Sequence, residues 1–136
     1  MGGRWGWRRW IVTVSLAVTG VATAQGTRAP TLQAMQGVTP GRWELRMPGS
    51  TVPPRVSCVA DPAILLRLHH RAATCSRFVI DDSAKGATVH YTCPGAGHVR
   101  SRLRIDTPRV LFIESEGIAD GMPFSDAIEA RRLGTC

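Results

Sequence analysis

Hydrophobic and polar positions alternate through most of the chain after Pro40, a period of two that turns one face of each segment toward a core. In "PGRWELRM", Trp43, Leu45 and Met47 alternate with Arg42, Glu44 and Arg46, which predicts a half-buried strand. "PGSTVPP" breaks the pattern with turn residues, and "RVSCV" resumes it as a second short strand. The period changes over residues 61–71. There Asp61 can cap a helix with Pro62 at its first position. Ile64, Leu65 and Leu68 then share one face, and His69, His70 and Arg71 fill the last turn. Beyond Cys75 the pattern returns to strands. "CSRFVI" and "ATVHYTC" flank the turn-rich "DDSAKG" as a hairpin, with Asp81 and Asp82 serving the turn through their own backbone bonding. "HVRSRLRID" alternates most clearly, with Val99, Leu103 and Ile105 on one face and Arg100, Arg102 and Arg104 on the other. A turn at Thr107-Pro108 leads into "RVLFIESE", apolar on both faces at its start and so expected in mid-sheet. The last segment, "FSDAIEARRLGTC", reads as a strand or, with Ser125 as cap, as a helix. Residues 25–39 have little periodicity and are expected to form a flexible arm. The expected fold is mainly β: one domain over residues 40–136, a single antiparallel sheet curling into a barrel or sandwich, with one short helix.

The first 24 residues read differently. "MGGRWGWRRW" carries three arginines and no acid, a short apolar run follows, and Ala22-Thr23-Ala24 has the small-x-small form of a cleavage site. Together these make a secretory signal peptide, cut after Ala24. The apolar run "IVTVSLAVTGVATA" is shorter than the roughly 20 residues of a membrane span, so no transmembrane segment is expected after cleavage. Removing Arg4, Arg8 and Arg9 from 17 basic residues leaves 14 against 10 acids, so the net charge falls from +7 to +4. Much of the basic surplus thus belongs to the export signal, and nucleic acid is not an expected partner.

Four cysteines remain: Cys58, Cys75, Cys93 and Cys136. An even number in a small exported domain indicates disulfides, and no C-x-x-C motif points to redox or zinc chemistry. Four cysteines allow three pairings. Folding the hairpin about Ser83-Ala84 sets Cys75 opposite Cys93 and Val79 opposite Val89. A register one residue over pairs Phe78 with Tyr91 and Ile80 with Val89, a better apolar face, but sends the two cysteines to opposite faces unless a bulge intervenes. The expected pairing is Cys75–Cys93 with Cys58–Cys136, the second bond fixing the last strand beside the second.

Candidate chemistry is sparse. His69 and His70 are adjacent and point about 100° apart on a helix, so they do not share a metal. His90 and His98 can approach across neighbouring strands, with Asp106 or Glu114 within reach, yet no spacing requires it. The histidines are expected at the surface or at a helix end, with no metal and no cofactor. No nucleophile elbow, H-E-x-x-H or P-loop is present, so no catalytic residue is assigned. The arginine row is the strongest candidate: guanidinium groups at Arg100, Arg102 and Arg104 can bind an anionic component of the cell envelope, although Glu114, Glu116 and Glu129 can neutralise them internally.

"PGRWE", the four cysteines in this spacing, "GIADGMPF" and the terminal "EARRLGTC" together resemble the domain of unknown function 3617 family, small exported bacterial proteins. The resemblance spans Pro40 to Cys136. It implies a periplasmic β-rich domain with no assigned activity, cofactor or catalytic residue, and it favours an extended last segment. The expected role is non-catalytic binding or structural support in the envelope, in the periplasm or outside the cell. One alternative is a small-ligand barrel with a cavity lined by Trp43, Phe78, Tyr91, Leu103 and Phe112. Another is a hydrolase with a dispersed site gathering His90 or His98.

Overall fold

The computed structural model describes residues 1–3 and 29–136; the signal-peptide cleavage site and the start of the expected arm lie outside the described residues. Seven strands form one antiparallel sheet: β1 (Gly41–Arg46), β2 (Arg55–Val59), β3 (Ser76–Ser83), β4 (Gly86–Cys93), β5 (Gly97–Thr107), β6 (Val110–Ala119) and β7 (Met122–Gly134). Their spatial order is β2-β1-β7-β6-β5-β4-β3. From β3 to β7 the chain meanders between neighbours, and β1 then lies against β7. The sheet is single and mainly antiparallel hairpins, as the alternation predicts, but it stays open: β2 and β3 form its two edges. The last segment is a strand up to Gly134, which removes the helical alternative.

Alternation decides which face is covered. Val89, Tyr91, Val99, Leu103, Leu111, Ile113 and Ala130 point to one side and are buried. The connection from β2 to β3 crosses that side as a 3-10 segment, Pro62–His70, packed on β4, β5 and β6. Asp61 caps it as expected, its carboxylate accepting from the Ala63 N–H at 3.0 Å. The segment is not an α-helix, however. Arg67 leaves helical geometry (φ −144°, ψ 48°), and its guanidinium turns back to donate to the carbonyls of His70 (2.6 Å) and Ala73 (3.0 Å). The His70 carbonyl ends the helical segment and also accepts from the Ala73 N–H, so the guanidinium closes the turn that follows. The break also changes the buried face: Leu65, Leu66 and His70 are enclosed, and Ile64 and Leu68 are only partly so. Enclosing Leu65 and Leu66 contributes about 1.5–3 kcal/mol each.

The expected arm is packed from Leu32 onward. Leu32, Ala34, Met35 and Val38 are buried, around a 3-10 turn at Gln33–Met35. Asp82 holds that turn by accepting from the N–H groups of Gln33 (2.8 Å) and Ala34 (3.1 Å), and Arg77 donates to the Pro30 carbonyl. Asp81 and Asp82 therefore belong to β3 and not to the hairpin turn, and the domain begins several residues before Pro40.

Both disulfides take the expected pairing, Cys58–Cys136 and Cys75–Cys93, and no cysteine is free. The β3–β4 hairpin combines the two registers. Near the cysteines Ser76 faces Thr92 and Val79 faces Val89; near the turn Asp81 faces Thr88 and Asp82 faces Ala87. A bulge at Ile80 joins them, absorbing the one-residue offset. The Cys58–Cys136 bond does not set the last strand beside the second, because β1 lies between them. The chain end instead passes the start of β1 to reach β2. Gly41 permits this, since a Cβ there would collide with the Gly134 carbonyl oxygen.

Candidate ligand cleft

Three residues interrupt the apolar phase of the inner face at one level. Ser101 on β5, Ser115 on β6 and Asp126 on β7 lie in register across the sheet. Each takes part in anchoring the connection above. Ser101 is fully enclosed and donates its hydroxyl to the Leu66 carbonyl at 2.6 Å, and it also shares a hydrogen bond with Ser115 at 2.8 Å. Asp126 contacts His69 Nε2 through its carboxylate, and the His69 ring packs on Phe124 at 4.0 Å between centroids. His70 adds a third anchor: its Nε2–H points to the carbonyls of Ile118 (2.9 Å) and Ala96 (3.2 Å). Its Nδ1 is enclosed with no hydrogen-bond partner among the described residues. His70 thus takes the helix-end alternative of the expectation, and it is buried there. Polar residues standing in the apolar phase of three consecutive strands are the sequence signal for this row.

The row ends at a cleft. Between the β1–β2 corner and the end of the Pro62–His70 segment lies a space of about 430 Å³. Leu45, Met47, Val52, Leu68 and Ile128 supply apolar walls, Arg55, Arg71 and Asp126 supply charge, and His69 adds a polar ring. Arg46 also reaches it but is paired with Glu44 at 3.4 Å. Burial along β1 explains the opening. Trp43 is 0% exposed, Leu45 is partly buried and Met47 is 40% exposed, although all three share one alternation. Cover from the rest of the chain runs out along the strand.

The other sequence candidates fall elsewhere. Arg100, Arg102 and Arg104 do form a row on the solvent face of β5. Two members are engaged: Arg102 pairs with Glu114 at 3.5 Å, and Arg104 lies 4.2 Å over the Phe112 ring. Arg100 stands opposite Glu116 in the ladder. The exposed Arg102–Glu114 pair contributes at most about 1 kcal/mol. His90 and His98 meet on the same face as a stacked pair, 5.5 Å between centroids. Neither approaches the inner cleft. Among the described residues, no group of three or more His, Cys, Asp or Glu side chains is arranged to hold a metal ion.

The expected barrel cavity does not form. Trp43, Tyr91 and Leu103 are packed into the core, whereas Phe78 is 70% exposed and Phe112 sits on the outer face beneath Arg104. No helix among the described residues is long and apolar enough to cross a membrane. No family model, curated protein or solved structure matches the chain.

Proposed function

We propose that the chain is an exported domain of the cell envelope with a non-catalytic binding role, and that the cleft beside the β1–β2 corner is its seat. The observation that carries the binding role is the cleft itself. Its size falls within the range of small-molecule sites, and its walls belong to elements fixed by hydrogen bonds and a disulfide. His69 and Asp126 resemble half of a nucleophilic triad. Their contact completes no catalytic set, because no serine or thiol is bonded to the ring among the described residues. The pair therefore serves as a latch between connection and sheet.

Export is supported by the pairing of all four cysteines, since structural disulfides form and persist mainly in oxidising compartments. The resemblance to the domain of unknown function 3617 family fits the same reading. Expressed at full length in a Gram-negative host, the chain is expected in the periplasmic fraction. Its first residue should be Gln25, and its mass four hydrogens below that of the reduced polypeptide. Recovery from the cytoplasm with an unprocessed start and two or more free thiols would overturn the export reading.

A further inference from the structure

We infer that the cleft takes a single-chain amphiphile with an anionic head, a long-chain carboxylate being the form that fits; this inference rests on the binding role proposed above. Charge and wall chemistry both point that way. Met47 and Val52 are 40% and 54% exposed, so apolar side chains stand in solvent where the chain's own cover ends. Isolated exposed apolar residues are ordinary, but here they flank a concave space that Leu45, Leu68 and Ile128 continue inward. An alkyl chain laid there removes this surface from water.

The head group follows from the cations. Arg55 and Arg71 line the cleft, and among the described residues neither guanidinium makes a hydrogen bond or an ion pair. The acid in the cleft wall, Asp126, is held by His69, and the third arginine, Arg46, is held by Glu44. Two guanidinium groups with free donors beside an apolar trough suit a carboxylate, which each can bind through paired N–H groups. A flat bilayer surface does not match a concave site at the corner of a sheet. The outer arginine row, where Arg102 and Arg104 already have partners, is the weaker anion site.

The test uses the oxidised, processed chain and a dansylated undecanoic acid as fluorescent probe, displaced by dodecanoate or by dodecanol. Dodecanoate is expected to displace the probe at least tenfold more strongly than dodecanol, since a charge-assisted hydrogen bond is worth that factor or more. An Arg55→Gln/Arg71→Gln variant should lose at least tenfold in dodecanoate affinity while its thermal midpoint stays unchanged. An Arg100→Gln/Arg102→Gln variant should bind as the parent does. Equal displacement by dodecanol and dodecanoate would overturn the anionic head and leave the cleft as a binding site. No binding of the probe or of either competitor would overturn the binding role itself. Loss of binding only in the Arg100→Gln/Arg102→Gln variant would move the anion to the outer face and overturn the cleft.

Discussion

Breaking the Cys58–Cys136 bond tests how the end of the chain is held. The bridge closes a span of 78 residues, and the Cys75–Cys93 bridge closes 18 of them within it. Taking 18 from 78 leaves an effective ring of about 60 residues. Loop-closure entropy for a ring of that size gives about 4 kcal/mol at 25 °C, through restriction of the unfolded chain. Little in the folded state offsets the loss. Cys58 is exposed, β2 has five residues, and its only ladder partner among the described residues is β1. Replacing both cysteines by serine leaves no unpaired thiol and no large cavity, so the change falls mainly on the unfolded chain. Urea unfolding followed by circular dichroism, without reductant, should show a loss of about 3–4 kcal/mol and a steeper dependence on urea, because the unfolded chain exposes more surface. The Cys75→Ser/Cys93→Ser variant should lose about 3 kcal/mol from its shorter loop plus the burial of Cys93, which is 1% exposed. A loss below about 1 kcal/mol for Cys58→Ser/Cys136→Ser, with unchanged slope, would refute the view that this bridge holds the chain end.

Two further outcomes follow from the interior. Tyr91 is the chain's single tyrosine, and burial of its ring raises the phenol pKa above the usual 10.0, against the opposing charge and hydrogen bond of Arg77. Folding favours the neutral phenol, so this contribution to stability is complete below the unfolded value and is lost as pH rises through the folded one. Near-ultraviolet phenolate absorbance should titrate above 10 in the native protein and near 10 in denaturant; a native midpoint at or below the denatured one would contradict the burial. His70→Ala removes the donor to Ile118 and Ala96 and opens a space, which should cost about 2–4 kcal/mol in thermal or urea unfolding. His69→Ala breaks a pair of which the histidine is over a third exposed and should cost about 1 kcal/mol or less; equal losses for the two histidines would mean that their positions are misassigned.

What was legible in the sequence followed the period of two. The alternation of Val99, Leu103 and Ile105 with three arginines set the two faces of β5 without ambiguity, and the two apolar phases of "RVLFIESE" placed β6 between neighbours. The hairpin offered two registers, each with a physical argument behind it. The disulfide's register holds from Ser76 to Val79, and the bulge at Ile80 introduces the other only beyond it, so the apolar pairs Phe78–Tyr91 and Ile80–Val89 that argued for the second register do not form. The buried segment Leu32–Val38 was not legible because its apolar residues are few and set among Gly, Gln and Thr, and its anchors, Asp82 and Arg77, lie about 45–50 positions away. The Pro62–His70 segment carried a helical signal at its start. Its later course depends on Arg67 turning back onto the carbonyls of His70 and Ala73, a tertiary choice that local propensity does not encode. The cleft was hidden for a related reason: its apolar walls come from residues whose spacing reads as ordinary core.

Why the sheet stays open bears on where that cleft lies. Along the sheet β2 and β3 are six strand spacings apart, about 29 Å if the sheet were flat. The residues joining them include the nine-residue Pro62–His70 segment, which even straight would span about 18 Å at about 2.0 Å per residue and is shortened by its break at Arg67. A link of that length crosses the inner face, and its Leu65, Leu66 and His70 occupy the interior that a closing β2–β3 pair would need. Once Ser101, Asp126 and the backbone carbonyls of Ala96 and Ile118 fix it over β4 to β7, it cannot also cover the β1–β2 corner. The face shared by Trp43, Leu45 and Met47 therefore passes from fully enclosed to open within five residues. The same connection that builds the core on one side leaves Met47, Arg55 and Arg71 facing an unfilled trough on the other, so cleft and core are two consequences of one crossing.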